Sequence, residues 1–190
     1  VITMSNNVRV IISGGGTGGH IFPAVSIAGA IREKLPNAEI LFVGAEGRME
    51  MEKVPAAGYK IIGLPIQGLY RSFTLKNIKV IAQAISSLRK AKKIIKEFSP
   101  DAVIGTGGYV CGPVLYAAAK MKIPTLVHES NAYAGITTRI LSKYVDTVAI
   151  GIEAARERIS NAKNIVFTGN PVRPSMLTED SFAARRRLGL

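Results

Sequence analysis

Four short clusters carry the residues with chemistry to offer. They are Gly14-Gly15-Gly16-Thr17-Gly18-Gly19-His20, Gly105-Thr106-Gly107-Gly108-Tyr109-Val110-Cys111-Gly112-Pro113, His128-Glu129-Ser130-Asn131 and Thr168-Gly169-Asn170-Pro171-Val172-Arg173. Glycine lets backbone N–H groups approach an anion closely, and a helix starting just after such a loop adds about half a positive charge. Two glycine loops on one edge predict a grip on two phosphate-bearing groups, or on one diphosphate held from both sides. His20 closes the first loop at the crevice, a place that favours a functional over a structural role.

The spacing alone leaves other readings open. Gly14, Gly16 and Gly19 satisfy G-x-G-x-x-G, yet a tight strand-to-helix turn with no ligand would use the same glycines. A dinucleotide site also wants an acid at the end of the second strand. Gly44 stands there, with Glu46 two residues late, which disfavours NAD. A P-loop needs Lys and then Ser or Thr after its last glycine, and His20-Ile21 occupies that place. His128 reads as a satisfied core residue ending a buried strand, and Cys111 as a small loop residue. Asn131 and Arg173 are turn and surface residues unless their shared edge gives them a task.

The elements that must position these clusters follow from apolar runs. Residues 8–13, 39–43, 59–64, 101–104, 125–128, 147–150 and 164–168 read as strands, near-continuous in Val and Ile. Between them lie a helix entered at Pro23, a short one ending before Pro55, a long one over about 75–98, one from Pro113 and one from Ala134. Strand–helix alternation of this kind means a Rossmann-like α/β fold: a parallel sheet with helices on both faces. In such sheets ligands bind in the crevice beyond the carboxyl ends of the strands, where all four clusters fall. The charged stretch 177–190 looks like a helix or linker cut short.

Composition sets the outer limits. A chain of 190 residues, 47% hydrophobic and 20% charged, reads as one large globular domain. The single Cys111 excludes an internal disulfide framework and multi-cysteine zinc sites, and it fits a reducing compartment. Twenty-five Lys and Arg against 13 Asp and Glu give a net charge of +12, so partners should be anionic. Residues 1–7 lack the apolar stretch of a secretory signal. The uncharged run 102–119 is broken by glycines and Pro113 and reads as strand, loop and helix, not as a membrane span.

The long helix adds a second signal. Ile78, Ile81, Ile85, Leu88 and Ile95 form its predicted apolar stripe, with Lys76, Lys79, Gln83, Ser86, Lys90, Lys93 and Glu97 opposite. Residues 71–97 hold eight basic residues and one acid. Just before them Leu69, Tyr70 and Phe73 put large apolar side chains in a loop. A charge run by itself is usually a solvated face; the apolar loop beside it points to an anionic membrane surface. Nucleic acid is the rival partner, but no recognition module is present.

Five ordered segments, GGGTGGHIFPA, GRMEMEKVP, GTGGYVCGP, HESNAYAG and TGNPVR, together resemble the amino-terminal half of the MurG family. The family transfers N-acetylglucosamine from UDP-GlcNAc to lipid I, undecaprenyl-diphosphoryl-MurNAc-pentapeptide, making lipid II for peptidoglycan. The resemblance implies the N-terminal half of a GT-B glycosyltransferase, with residues 8–175 as an acceptor- and membrane-binding domain and 176–190 as the start of a linker to a C-terminal donor domain. It implies that Thr17, Gly18, Gly19, Asn131 and Arg173 contact the donor. Gly16, Gly107, Gly108 and Tyr109 would cradle the acceptor diphosphate, and Leu69, Tyr70, Phe73, Lys76, Lys79, Lys90 and Lys93 would form the membrane patch. Ser130 and Cys111 depart from residues common in the family at those positions.

The same resemblance implies inversion by single displacement, no cofactor and no metal, with Arg173 and helix dipoles offsetting the charge of departing UDP. Such a displacement needs a base near the acceptor hydroxyl; His20, whose imidazole has an ordinary pKa of about 6.5, is the candidate and Glu129 the reserve. It places the protein peripherally on the cytoplasmic face of the bacterial inner membrane and leaves the isolated chain inactive. The alternative is a non-catalytic nucleotide- or nucleic-acid-binding Rossmann module.

Overall fold

The computed structural model describes residues 7–68, 76–159, 161–173 and 180–189, with the side chains of the long helix described from residue 83 onward. Strands β1 (Arg9–Ser13), β2 (Glu39–Ala45), β3 (Lys60–Leu64), β4 (Ala102–Gly105), β5 (Thr125–Glu129), β6 (Thr147–Ile150) and β7 (Ile165–Phe167) are hydrogen-bonded in the order β3-β2-β1-β4-β5-β6-β7. Every pairing is parallel. The Rossmann-like sheet that the alternation predicts is what forms.

Successive strand residues point to opposite faces, and here both faces are apolar. Val10, Ile12, Ile40 and Phe42 pack under helices α1 (Gly18–Lys34) and α2 (Glu50–Ala56), against Ile21, Ala24, Ala28 and Val54. Ile11, Val43, Val103, Val127 and Val148 pack on the other face, under α3 (Lys76–Phe98), α4 (Cys111–Lys120) and α5 (Ile136–Leu141). Fully burying one such aliphatic side chain is worth about 1.5–3 kcal/mol, so this double burial is what holds a parallel sheet together. A 3-10 helix, Glu153–Arg158, follows β6, and α6 (Ser181–Arg187) is capped by Asp180, whose side chain accepts the Phe182 N–H at 3.1 Å.

Three predicted features differ in detail, each for a local reason. Helix α1 begins at Gly18, not at Pro23, and carries that proline inside. The proline gives up one bond to the Gly19 carbonyl; next to it, the Thr106 hydroxyl donates to the His20 carbonyl at 2.7 Å and secures the helix start from outside. Helix α4 likewise starts ahead of its proline, at Cys111, so Pro113 sits in the first turn where its missing N–H costs nothing. In α3 the buried line is Ser87, Ala91, Ile94 and Ile95, while Ile85 is half exposed. At about 100° per residue Ile85 lies roughly 120° from Ala91, on the edge of the helix, whereas Gln83 is drawn partly inside.

Cys111 is a core residue and not a loop residue. Its thiol is fully buried, 2.9 Å from the carbonyl oxygens of both Ser13 and Gly107. Burial pushes its pKa up to about 11, against the opposing pull of those contacts. The run 102–119 folds as β4, a loop and α4, and among the described residues no helix is long and apolar enough to cross a membrane.

Candidate functional site

The strand order reverses between β1 and β4: β2 and β3 lie on one side, β5 to β7 on the other. That switch point opens a crevice at the carboxyl edge, and the two glycine loops leave β1 and β4 directly into it. They touch. A Cβ on Gly108 would stand 2.3 Å from the Gly15 carbonyl oxygen, one on Gly14 would stand 2.0 Å from the Thr106 hydroxyl, and one on Gly107 would stand 2.4 Å from His20 Nδ1. Gly107 and Gly108 also have φ of +105° and +83°, a backbone that side chains disfavour. The glycines are therefore needed for one loop to lie against the other, whatever else they bind.

His20 is fixed across that junction. Its Nδ1 lies 2.9 Å from the Thr106 carbonyl oxygen. A carbonyl only accepts, so Nδ1 carries the hydrogen, and in the neutral ring Nε2 is left with a lone pair. The Thr106 hydroxyl answers by donating to the His20 carbonyl at 2.7 Å. One residue of the second loop thus sets both the ring and the backbone of the residue closing the first. This is the arrangement a positioned proton acceptor needs: an orienting partner on one nitrogen and a free lone pair on the other.

The N-terminus of α1 faces the crevice with no acid in its first turn. Thr17 caps it with extended backbone, accepting the His20 and Ile21 N–H groups at 3.1 Å through its carbonyl, while its side chain makes no capping bond. The N–H groups of Gly18 and Gly19 precede the first intrahelical bond and have no partner among the described residues. Phe22 lies over Gly18, and the Arg173 guanidinium stands 5.2 Å from the Phe22 ring centroid. The fold so brings Arg173, from the far end of the sequence, to the start of α1.

Gly16 behaves differently from its expected place among the anion-binding amides. Its N–H donates at 3.0 Å to Oε2 of Glu50, a residue of α2 with no solvent exposure. Oε1 of Glu50 accepts the Ala45 N–H, also at 3.0 Å. The Gly16 amide is thus turned inward and committed. The sequence reading missed Glu50; the signal was there in Gly15 and Gly44, where a Cβ would meet the Glu50 side chain at 2.0 and 2.6 Å. The Tyr109 ring borders Gly16 and Gly68, where an added Cβ would come within 3.4 Å of it, and its hydroxyl is buried with no partner among the described residues.

The third and fourth clusters are built on a carboxylate and an imidazole. Glu129 is buried at the end of β5; Oε1 accepts the Asn131 backbone N–H at 3.0 Å and its Nδ2 at 2.8 Å, and Oε2 accepts the Gly135 N–H at 2.9 Å. Both oxygens hold the loop, which gives Glu129 a positioning task. The same bonds orient the Asn131 side chain. His128 is buried, with Nε2 3.1 Å from the Gly169 carbonyl and Nδ1 3.3 Å from the Ser130 hydroxyl, the satisfied core residue that its strand position predicts. Asn170 packs over Gly151 and donates to the Ser130 carbonyl at 3.2 Å, tying the fourth cluster to the third.

The proposed membrane patch is only partly described. Leu69, Tyr70 and Phe73 lie outside the described residues, and Lys76 and Lys79 are described only as backbone of α3. Lys90 pairs with Glu46 at 2.8 Å and Lys93 with Glu97 at 3.7 Å. Exposed pairs of this sort contribute about 0–1 kcal/mol, so neither lysine is strongly withheld from a stronger anion.

Residues 10–150 match the N-terminal domain of glycosyltransferase family 28. The chain belongs to this family. Among curated relatives, one from Parabacteroides distasonis is 53% identical over 88% of the chain and 45% of its own length. One from Alkaliphilus oremlandii is 51% identical over 94% of the chain and 49% of its own length. Both are named UDP-N-acetylglucosamine–N-acetylmuramyl-(pentapeptide) pyrophosphoryl-undecaprenol N-acetylglucosamine transferase. The crystal structure of Acinetobacter baumannii MurG superposes with a TM-score of 0.70 at 27% identity, covering 92% of the chain and 49% of that structure. A UDP-N-acetylglucosamine 2-epimerase at 15% identity and a TM-score of 0.64 shares the fold. The MurG-family resemblance is thereby borne out, and this family 28 chain spans about half the length of the curated relatives it matches.

The His128 environment yields a pH dependence. Burial lowers its pKa, against the Gly169 carbonyl and the Glu129 charge, which raise it. The unfolded chain takes up this proton near the ordinary imidazole value of about 6.5, the folded one only at lower pH. Stability therefore falls on acidification from about pH 6.5 down to the depressed folded value, because there the unfolded state binds more protons. Urea midpoints of the 190-residue chain should drop between pH 7.5 and 5, and His128→Gln, which can still donate to Gly169, should drop less. Equal drops in both would contradict the assignment.

Proposed function

We propose that this family 28 chain is the N-terminal domain of an enzyme that moves N-acetylglucosamine from UDP-GlcNAc to the muramyl 4-hydroxyl of lipid I, giving lipid II. The observation that carries the reading is the junction of the two glycine loops, with His20 held by Thr106 at the point where they meet. The names of the relatives support the substrates. A second domain, reached through residues 176–190, would close the cleft over residues 8–175 and hold the rest of the donor.

In this reading the Nε2 lone pair of His20 takes the proton of the acceptor hydroxyl as its oxygen attacks the anomeric carbon. The bond from that carbon to the UDP oxygen breaks on the opposite face, so configuration inverts. The electron pair leaves on the diphosphate, and the free amides of Gly18 and Gly19, the dipole of α1 and Arg173 offset the charge there. Thr17 and Asn131 complete the donor contacts. Gly107, Gly108 and Tyr109 border the acceptor diphosphate from the second loop. Glu129 takes the structural role of shaping the loop that presents Asn131.

The acceptor is a lipid, which calls for a membrane-facing surface. Besides the 69–93 segment, α5 exposes Ile136 and Ile140 (69% and 57%) one turn apart, with Arg139 and Lys143 between and beyond them. Together with Arg158 these residues line a groove of about 360 Å³ that shares no residue with the four clusters. Apolar side chains ringed by cations suit the headgroup region of an anionic leaflet, where each basic residue contributes about 1 kcal/mol. We place the protein peripherally on the cytoplasmic face of the inner membrane, where lipid I and UDP-GlcNAc meet.

Two experiments test this. In the full-length enzyme, His20→Ala should cut kcat by roughly 10²–10⁴, the range for a lost general base, with the donor KM little changed; a loss under threefold removes His20 from the role. Binding of the full-length protein to phosphatidylglycerol vesicles should weaken with added salt and after Lys79→Glu with Lys93→Glu. Binding that ignores both changes would rule out this surface.

A further inference from the structure

We propose that Glu50 is a positioning residue for the first glycine loop, acting from beneath it. The proposal rests on the glycosyltransferase reading above for its catalytic consequence, but its structural content stands apart. Glu50 has no exposed surface and no cationic partner among the described salt bridges. Its two oxygens accept one backbone N–H each, from Ala45 at the end of β2 and from Gly16 in the loop. Side-chain oxygens so placed rivet the loop to the neighbouring strand.

Space has been cleared for this carboxylate. A Cβ on Gly15 would lie 2.0 Å from Oε1, and one on Gly44 would lie 2.6 Å from the Glu50 Cγ and 2.9 Å from Ile61. Gly44 is the position where a dinucleotide-binding sheet presents an acid to a ribose. Here the acid comes instead from α2 and is buried under the loop, facing amides and not a sugar.

The geometry gives the loop two kinds of amide. Gly16, with φ +85°, points its N–H down to Glu50. Gly18 and Gly19, at the start of α1, are left facing the crevice with His20 beside them. Satisfying the inward amide with a buried acceptor keeps the chain from turning over to satisfy it elsewhere, since an unpaired buried N–H is costly. The outward amides and the imidazole are then held in register with Thr106. A carboxylate has the right valence for this: both oxygens accept. A glutamine would offer one acceptor and set its NH2 against the other N–H.

The test uses the full-length enzyme. First, in the unaltered protein, hydrogen exchange read residue by residue should show the Gly16 amide protected while those of Gly18 and Gly19 exchange fast; fast exchange at Gly16 overturns the proposal without any variant. Second, Glu50→Gln should speed exchange at Gly16 and lower kcat by roughly 10- to 100-fold, the cost of small misplacement of reacting groups, with KM for lipid I within about twofold. Glu50→Asp, which keeps the charge but shortens the reach, should fall between. Unchanged kcat in a folded Glu50→Gln overturns the positioning role, as does a rise in KM with kcat intact. If the unaltered enzyme exchanges as stated yet transfers no N-acetylglucosamine, the functional reading fails and the loop rivet survives.

Discussion

The site depends on one contact, the two-way bond between His20 and Thr106 across adjoining glycine loops. Each hydrogen bond is worth a net ~1 kcal/mol, modest beside the energies of a folded domain. What decides the geometry is steric. At Gly14, Gly107 and Gly108 an added methyl would overlap its neighbour at 2.0–2.4 Å, well inside any contact distance. The loops can approach because nothing stands between them, and the hydrogen bonds then choose one arrangement out of those that fit. The parallel sheet supplies the rest, since pairing β1 with β4 in register, Ser13 beside Gly105, delivers both loops to the same point.

A common device recurs at the first and third clusters. Each is held by a buried acid, from α2 in the first case and from within the cluster in the third, and each acid faces amides instead of cations: Glu50 takes Ala45 and Gly16, and Glu129 takes Asn131 and Gly135. Loops proposed to grip a phosphate must leave some amides free for the ligand while keeping the others paired. A buried carboxylate under the loop sorts them. It binds the inward donors with both oxygens and leaves the outward ones exposed, at the price of one acid near an anion. The open amides at the start of α1 and Arg173, brought in over Phe22, offset that charge.

Much of this was legible in the residues. The strands announced themselves as Val- and Ile-rich runs, the sheet class followed from their alternation with helices, and the glycine loops fell where such sheets bind ligands. Helix starts were less legible, because Pro23 and Pro113 suggest an entry point a few residues downstream of where the Thr106 hydroxyl secures α1 and a local turn, Cys111 N–H to the Gly108 carbonyl, opens α4. The α3 face differs from the apolar stripe at Ile85 and Gln83, since the packing partner and not composition fixes which edge turns in. Glu50 was hidden among Glu46, Glu50 and Glu52 in a segment that looks solvated; only the glycines at 15 and 44, read as cleared space, could have disclosed it.

In the proposed reading the paired loops face two diphosphates, the donor's at Gly18 and Gly19 and the acceptor's at Gly107 and Gly108. Amide chemical shifts of the isotope-labelled full-length protein, followed as UDP-GlcNAc and then a lipid I analogue are added, address it directly. The largest changes are expected at Gly18 and Gly19 and at Gly107 and Gly108, with Gly16 nearly still. Changes confined to the α5 groove, with both loops silent, would contradict it.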